Sequence, residues 1–121
     1  MTARYEKRAP RVELNLTTRT HAGATVLSAA GEIDIHTAPD LRARLGELEK
    51  SGARTIVVDL SGVDFLDSSA LGTLVGVNKT LQADGGVLRL VCAKPSILRV
   101  FEITRLSEVI PVFDTVERAC A

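Results

Sequence analysis

The chain has 121 residues, a length that suits one compact domain with its own hydrophobic core. Lys plus Arg and Asp plus Glu number 15 each, so no global field attracts nucleic acid or an anionic membrane. Aromatic residues make up 3% of the chain, which argues against a base-stacking platform or an aromatic-lined ligand cleft.

The sequence carries no recognisable signal for export or membrane insertion. Residues 1–10 are basic, lack the apolar stretch of a signal peptide and are predicted to form a flexible N-terminal tail. No segment is long and apolar enough to span a bilayer, and the two cysteines, Cys92 and Cys120, lack a metal-binding spacing. We therefore predict a cytoplasmic protein in which Cys92 is a small buried hydrophobic residue and Cys120 lies on a frayed end.

The hydrophobic pattern of the first half changes from a strand period to a helix period. Val12, Leu14 and Leu16 in "VELNLTT" alternate with polar residues, as in a half-buried strand. A turn at "RTHAG" leads to a second strand, "TVLSAAGEI", so the two are predicted to form a hairpin. Leucines at helical spacing then predict a helix with Thr37 as its N-cap. The apolar run "RTIVVDL" is typical of a strand buried on both faces.

The segment "SALGTLVGVNKTLQ" predicts a second helix. Its leucines form an apolar face, whereas Asn78 and Lys79 are predicted to lie on the exposed side. Gly72 and Gly76 are four residues apart and share one face, so we expect them to allow close packing against the sheet.

The remaining segments complete an alternating pattern. They are a strand at "VLRLVCA", a helix at "KPSILRVFEIT", a short strand at "EVIPVF" that Pro111 weakens, and a last helix at "DTVERACA". The order is therefore β-β-α-β-α-β-α-β-α. Strands and helices that alternate after a hairpin predict an α/β fold with a mixed, mainly parallel sheet and helices packed on it.

The candidate catalytic and metal-binding patterns are incomplete. His21 and His36 fall in predicted loops, and no G-x-S-x-G elbow is present to activate a serine. Asp34 lies two residues before His36, but no further ligand completes a metal site. A phospho-accepting aspartate would need an acidic pair near the N-terminus, and the first strand offers none. We predict no catalytic residue, no metal, no cofactor and hence no enzyme.

The stretch "DFLDSSALGTL", residues 64–74, places two hydroxyl groups where a loop is predicted to enter a helix. One interpretation is structural: Asp67 or Ser68 caps the helix by accepting its free N–H groups. The other is regulatory: an exposed hydroxyl accepts a phosphoryl group, which adds about −1.5 to −2 charge. The two interpretations are compatible, because a helix start is a defined platform that a kinase can reach.

Three blocks of the sequence resemble the STAS domains and, among them, the small bacterial anti-sigma factor antagonists. The most specific block, "VVDLSGVDFLDSSALGTLVG" (57–76), is similar to the family's strand, loop, Asp-Ser-Ser/Thr and helix signature. "GEIDIHTAPDL" (31–41) resembles the exit from the second strand and the entry to the first helix. "GGVLRLVCAKPSILRVFEITRL" (85–106) resembles the third block in order and spacing. The resemblance implies the STAS fold, in one domain over residues 11–121.

The resemblance also implies a regulatory role. Unphosphorylated members bind an anti-sigma factor that is itself a serine kinase with a GHKL-type ATP-binding fold, and this frees a sigma factor for RNA polymerase. The kinase then inactivates them by phosphorylating the serine after the aspartate, here Ser68, and a PP2C-type phosphatase reverses the change. No direct contact with nucleic acid or with a membrane is implied.

A partner-binding surface is expected around the switch serine. The family's loop aspartate before the first helix aligns with Asp34, and its acidic residue beside the target serine aligns with Asp67. The expected surface comprises Asp34, Thr37, Asp67, Ser68, Ser69 and Asn78. One departure from the family is Ala70, where many members have Gly. Its methyl group is expected to stand where the kinase must approach.

Two other classes of function stay open at this point. A STAS subunit of a stable assembly, such as a stressosome-like scaffold or a lipid-transport complex, would not depend on the Ser68 hydroxyl. A nucleotide-binding domain with weak hydrolysis would be stabilised against heat by its ligand, because a ligand that binds only the folded state raises its stability.

Overall fold

The computed structural model describes residues 14–121, and its elements follow the predicted order. They are β1 (Asn15–His21), β2 (Ala24–Ile33), α1 (Ala38–Lys50), β3 (Thr55–Leu66), α2 (Ser68–Ala83), β4 (Val87–Val91), α3 (Pro95–Ile103), a 3-10 turn (Leu106–Glu108), β5 (Val112–Phe113) and α4 (Val116–Cys120). The α/β order β-β-α-β-α-β-α-β-α is confirmed, with the 3-10 turn added before β5. The predictions for the tail at 1–10 and for Val12 lie outside the described residues.

The five strands form one sheet in the order β1-β2-β3-β4-β5. β1 and β2 are antiparallel and are joined by a tight turn in which Ala22 and Gly23 both have positive φ. β2, β3, β4 and β5 are mutually parallel. The carboxyl ends of these four strands therefore meet at one edge of the sheet, which we call the carboxyl edge.

Helices cover both faces of this sheet. The larger apolar cluster joins Ile56 and Val58 of β3 to leucines of α1 and α2 and to Phe101 of α3. The smaller cluster joins Val57 to Val116 and Ala119 of α4. Since successive residues of a strand point to opposite faces, the apolar run in β3 fills both clusters, as predicted.

β3 is longer than its neighbour β4. It pairs with β4 only from Thr55 to Asp59 and continues to Leu66 beside β2. On the side that β4 leaves open, the Nζ of Lys94 donates to the Val63 carbonyl at 2.9 Å and to an Asp64 carboxylate oxygen at 3.0 Å. The long β3 carries the chain out to the carboxyl edge before α2 begins.

Two predictions about α2 are wrong. Asn78 is buried, with 3% of its surface exposed, because it lies four residues after Leu74 and three before Leu81 on the core-facing side. A Cβ at Gly72 would meet no atom within 4 Å, and one at Gly76 would approach the Arg42 guanidinium at 3.5 Å. The first glycine thus faces open space and the second faces α1, so neither provides close packing against the sheet.

The predictions about the cysteines and the last strand have separate outcomes. Cys92 is buried as predicted, and burial raises the pKa of its thiol. Cys120 is half-buried as the last residue of α4, which packs on the sheet, and so does not lie on a frayed end. β5 has two residues and directly follows Pro111.

Over residues 14–121, no helix has the length and apolarity needed to cross a membrane.

Candidate functional site

The loops that leave β2 and β3 lie side by side at the carboxyl edge. Ile33 and Leu66, the last residues of these two strands, are register partners. Just beyond them the Asp67 N–H donates to the Ile33 carbonyl at 3.1 Å. This hydrogen bond holds the β2–α1 loop, which contains Asp34, against the β3–α2 corner, which contains Ser68.

Asp67 caps α2. Its backbone is extended, and its carboxylate accepts the N–H groups of Ser69 at 2.8 Å and of Ala70 at 3.3 Å. Of the two capping residues that the sequence offered, the structure therefore selects Asp67. Ser68 is the first residue of the helix and is exposed, and Ser69 is half-buried.

The residue after the two serines points away from the site. Ala70 has no exposed surface and belongs to the larger core cluster. Its methyl group packs inside the domain, so the expectation that it obstructs the approach to Ser68 is wrong.

The β2–α1 loop is fixed by reciprocal hydrogen bonds between Asp34 and Thr37. An Asp34 carboxylate oxygen accepts the N–H groups of His36 at 2.9 Å and of Thr37 at 3.0 Å. The Thr37 hydroxyl accepts the Asp34 N–H at 2.9 Å and donates to the Glu32 carbonyl at 2.8 Å. These contacts make the loop a rigid element rather than a loose connection.

The same contacts set the charge state of Asp34 and the role of Thr37. The hydrogen bond from the Thr37 backbone lowers the pKa of the Asp34 carboxyl, against a smaller opposing effect of desolvation. Thr37 occupies the N-cap position of α1, but its side chain makes no capping hydrogen bond to the helix. The prediction of a Thr37 side-chain cap is wrong, because the hydroxyl is turned back into the loop.

The carboxyl edge thus brings together most of the residues expected on the partner surface. Asp34, Thr37, Asp67, Ser68 and Ser69 all lie in the two adjoining loops or at the start of α2. Asn78 does not join them. It is buried and lies ten residues further along α2, or about 15 Å from Ser68 at the rise of an α-helix.

Two apolar residues at this edge were missed by the sequence reasoning. Ile35 is 66% exposed and Phe65 is 48% exposed. A signal for each was present. Ile35 is an isolated aliphatic residue in the polar loop "DIHT", and Phe65 adjoins Leu66, whose side chain faces the core.

The chemistry available at the edge is that of an exposed hydroxyl at a helix start. Over residues 14–121, no group of three or more His, Cys, Asp or Glu side chains is placed to hold a metal ion. A cavity of about 400 Å³ lies elsewhere, between α3, β5 and α4, and is lined by residues such as Phe101, Phe113 and Arg118. It shares no lining residue with the Ser68 corner. The corner itself presents the exposed side chain of Ser68 to solvent.

The chain belongs to the STAS domain family, whose model matches residues 15–119. The anti-sigma-B factor antagonist of Bacillus subtilis (strain 168) is 33% identical over 101 residues, which cover 84% of this chain and 92% of that protein. A crystal structure of an anti-sigma factor antagonist from Mycobacterium paratuberculosis aligns with a TM-score of 0.82 and 31% identity, covering 88% of this chain and 91% of that one. The Bacillus cell fate determinant SpoIIAA in its phosphorylated form aligns with a TM-score of 0.66 and 27% identity, covering 88% and 95% of the two chains. The predicted STAS fold is confirmed.

Proposed function

We propose that this protein is an anti-sigma factor antagonist that phosphorylation of Ser68 switches off. In the unphosphorylated form it binds an anti-sigma factor, and this frees a sigma factor to direct transcription. The observation that carries the proposal is the exposed Ser68 at the start of α2. The neighbouring Asp67 caps this helix, and the Ser68 side chain takes no part in the cap. The hydroxyl is therefore available for modification while the helix start stays intact.

The comparisons support the class of partner. The Bacillus subtilis relative is named as an antagonist of an anti-sigma factor, and the SpoIIAA structure is of a phosphorylated form. We propose that the partner of this chain is an anti-sigma factor with a GHKL-type serine kinase fold and that a PP2C-type phosphatase removes the phosphate. The chain itself would act in the cytoplasm as a binding protein and kinase substrate, without catalysis of its own.

The physical basis of the switch is the charge that a phosphate brings. A phosphoserine carries about −1.5 to −2 charge, next to the carboxylate of Asp67. The N-terminus of α2 offsets part of this repulsion, so the domain can stay folded. Enclosing the dianion in an interface without a matching cation costs several kcal/mol. A loss of about 3 kcal/mol weakens binding roughly a hundredfold, which is enough for an on/off response.

A pull-down with four baits tests the proposal: wild type, Ser68→Ala, Ser68→Glu and Ser107→Glu. Ser107 is an exposed serine in the 3-10 turn, so its Glu variant controls for one added negative charge. We expect wild type, Ser68→Ala and Ser107→Glu to retain a GHKL-type kinase from native lysate and Ser68→Glu to lose it. With purified kinase and ATP, we expect phosphate on Ser68 in wild type and no labelling of Ser68→Ala. The proposal is wrong if all four baits retain the same proteins, as a subunit of a stable scaffold or transport assembly would.

A further inference from the structure

We propose that Ile35 and Phe65 are the apolar contacts through which this protein binds its anti-sigma factor, one from the β2–α1 loop and one from the end of β3, both beside Ser68. The inference rests on the proposed function and adds to it the residues that supply affinity. The phosphorylation state of Ser68 would then control binding, while Ile35 and Phe65 would provide much of the binding free energy.

The first argument is exposure. Four large hydrophobic residues of the described chain are exposed: Ile35, Phe65, Ile103 and Val109. Ile103 and Val109 lie at the end of α3 and just after the 3-10 turn, whereas Ile35 lies in the β2–α1 loop and Phe65 at the end of β3, both at the carboxyl edge. Exposed aliphatic and aromatic side chains in the centre of an interface are typical sources of binding energy, because their contact with a partner removes apolar surface from water.

The second argument is continuity with the switch. Phe65 is three residues before Ser68, so their Cα atoms are at most about 11 Å apart. Ile35 is two residues after Ile33, whose carbonyl accepts the Asp67 N–H. A standard interface of about 800 Å² per side, centred on Ser68, is large enough to include the two apolar residues. A phosphate on Ser68 that releases the anti-sigma factor must lie within or beside that partner's contact area. We therefore assign Ile35 and Phe65, which lie near Ser68, to the same partner.

The third argument is rigidity. Ile35 lies between Asp34 and Thr37, whose reciprocal hydrogen bonds fix the loop. Phe65 lies on β3 in register with Glu32 of β2. Both backbones are thus ordered before binding, which lowers the entropy that an interface must overcome. Polar neighbours, among them His36 and Asp64, leave the two side chains without an apolar cover of their own.

The test compares matched double variants against the purified GHKL-type kinase anti-sigma factor, with dissociation constants measured by calorimetry. The variants are Ile35→Ser with Phe65→Ser at the carboxyl edge, Ile103→Ser with Val109→Ser as the control, and Ser68→Glu. The control pair is exposed to a similar extent, at 74% and 54%. We expect the edge pair to weaken binding by roughly tenfold or more, in the range of truncated hot-spot residues, and the control pair to stay within about twofold of wild type. Thermal melting of each variant shows that the domain remains folded.

The outcomes separate this inference from the proposed function. If Ser68→Glu loses the kinase but the edge pair binds like wild type, the switch stands and the apolar contact is refuted. If the edge pair loses the kinase but Ser68→Glu binds like wild type, the apolar contact stands and the switch is refuted. Equal losses in the edge and control pairs would refute the assignment to this edge. If wild type does not bind the kinase at all, both proposals are wrong.

Discussion

The carboxylate of Asp67 accepts the backbone N–H of Ser69 at 2.8 Å, and this contact caps α2 directly beside the exposed Ser68. Replacing Asp67 by Ala removes the cap and should lower the free energy of unfolding by about 1 kcal/mol. Ser68→Ala should change it by no more than about 0.5 kcal/mol, because the residue is exposed and the cap does not use its side chain. Urea denaturation of the two variants measures both values. A cost for Ser68→Ala as large as that for Asp67→Ala would show that Ser68 has a structural role.

The loop network around Asp34 predicts a pH dependence of stability. Its backbone hydrogen bond from Thr37 lowers the pKa of the Asp34 carboxyl in the folded state below the ordinary value of 3.8. The unfolded chain therefore takes up a proton first as the pH falls. The stabilisation is fully present above that value, declines below it and is lost as the pH passes through the folded pKa.

Asp34→Asn tests this dependence. The substitution keeps an oxygen that can accept the hydrogen bonds, but it removes the group that titrates. We expect wild type to lose more stability than Asp34→Asn between about pH 6 and pH 2, as measured by urea denaturation. Asp84→Asn, at an exposed position at the end of α2, controls for the loss of one carboxylate from the net charge. Parallel stability curves for wild type and Asp34→Asn would contradict the prediction.

Two glycines should respond in opposite directions to the same substitution. Gly72 is exposed in α2 and a Cβ there meets nothing, so Gly72→Ala should raise the free energy of unfolding by up to about 1 kcal/mol. At Gly86 a Cβ would stand 2.6 Å from the Arg54 carbonyl oxygen and 2.7 Å from a methyl carbon of Leu81. Gly86→Ala should therefore lower the free energy of unfolding by about 1–3 kcal/mol. Chemical denaturation of the two variants measures both changes in the free energy of unfolding. Changes of the same sign in Gly72→Ala and Gly86→Ala would refute the prediction.

The attachment of α4 depends on Arg89. Its guanidinium donates to the Ala119 carbonyl at 2.8 Å and so satisfies a free acceptor at the end of this five-residue helix. Arg89→Met keeps much of the aliphatic length but removes the donor, and we expect a loss of about 1 kcal/mol with faster amide exchange in α4. Arg99→Met, at an exposed position on α3, is the control. Unchanged exchange in α4 would show that its apolar contacts alone hold it.

The order of elements could be predicted because apolar periodicity reports directly on burial. Alternation predicted the hairpin, and the unbroken apolar run of Ile56–Val58 predicted a strand covered on both faces, as the two clusters confirm. The association of Asp34 with Ser68 was implied by the family resemblance, and the parallel pairing of β2 with β3 places the two loops that hold these residues at one edge of the sheet.

The wrong predictions for Asn78 and Thr37 share a physical origin. Each was inferred from the type of the residue and not from its position in the helix or loop. Asn78 was expected to be exposed because it is polar, but helical spacing from Leu74 and Leu81 places it on the buried face. Thr37 suits a helix cap by type, yet its hydroxyl has a competing partner in the Glu32 carbonyl. Ile35 and Phe65 were missed although the sequence held a signal for each, because their exposure depends on how the β2–α1 loop and the end of β3 meet.

The extension of β3 beyond β4 has a consequence for how this protein behaves at high concentration. A strand with one open side offers its backbone to another molecule and can start edge-to-edge association between copies. Here the half-buried side chain of Lys94 occupies that side, because its ammonium binds the Val63 carbonyl and forms a salt bridge with Asp64. Lys94→Ala should therefore increase self-association, measured as a rise in light scattering with protein concentration, whereas Lys79→Ala on the exposed face of α2 should not. Lys94 would thus limit aggregation through β3. The strand can then remain long enough to carry the chain out to Ser68 at the surface.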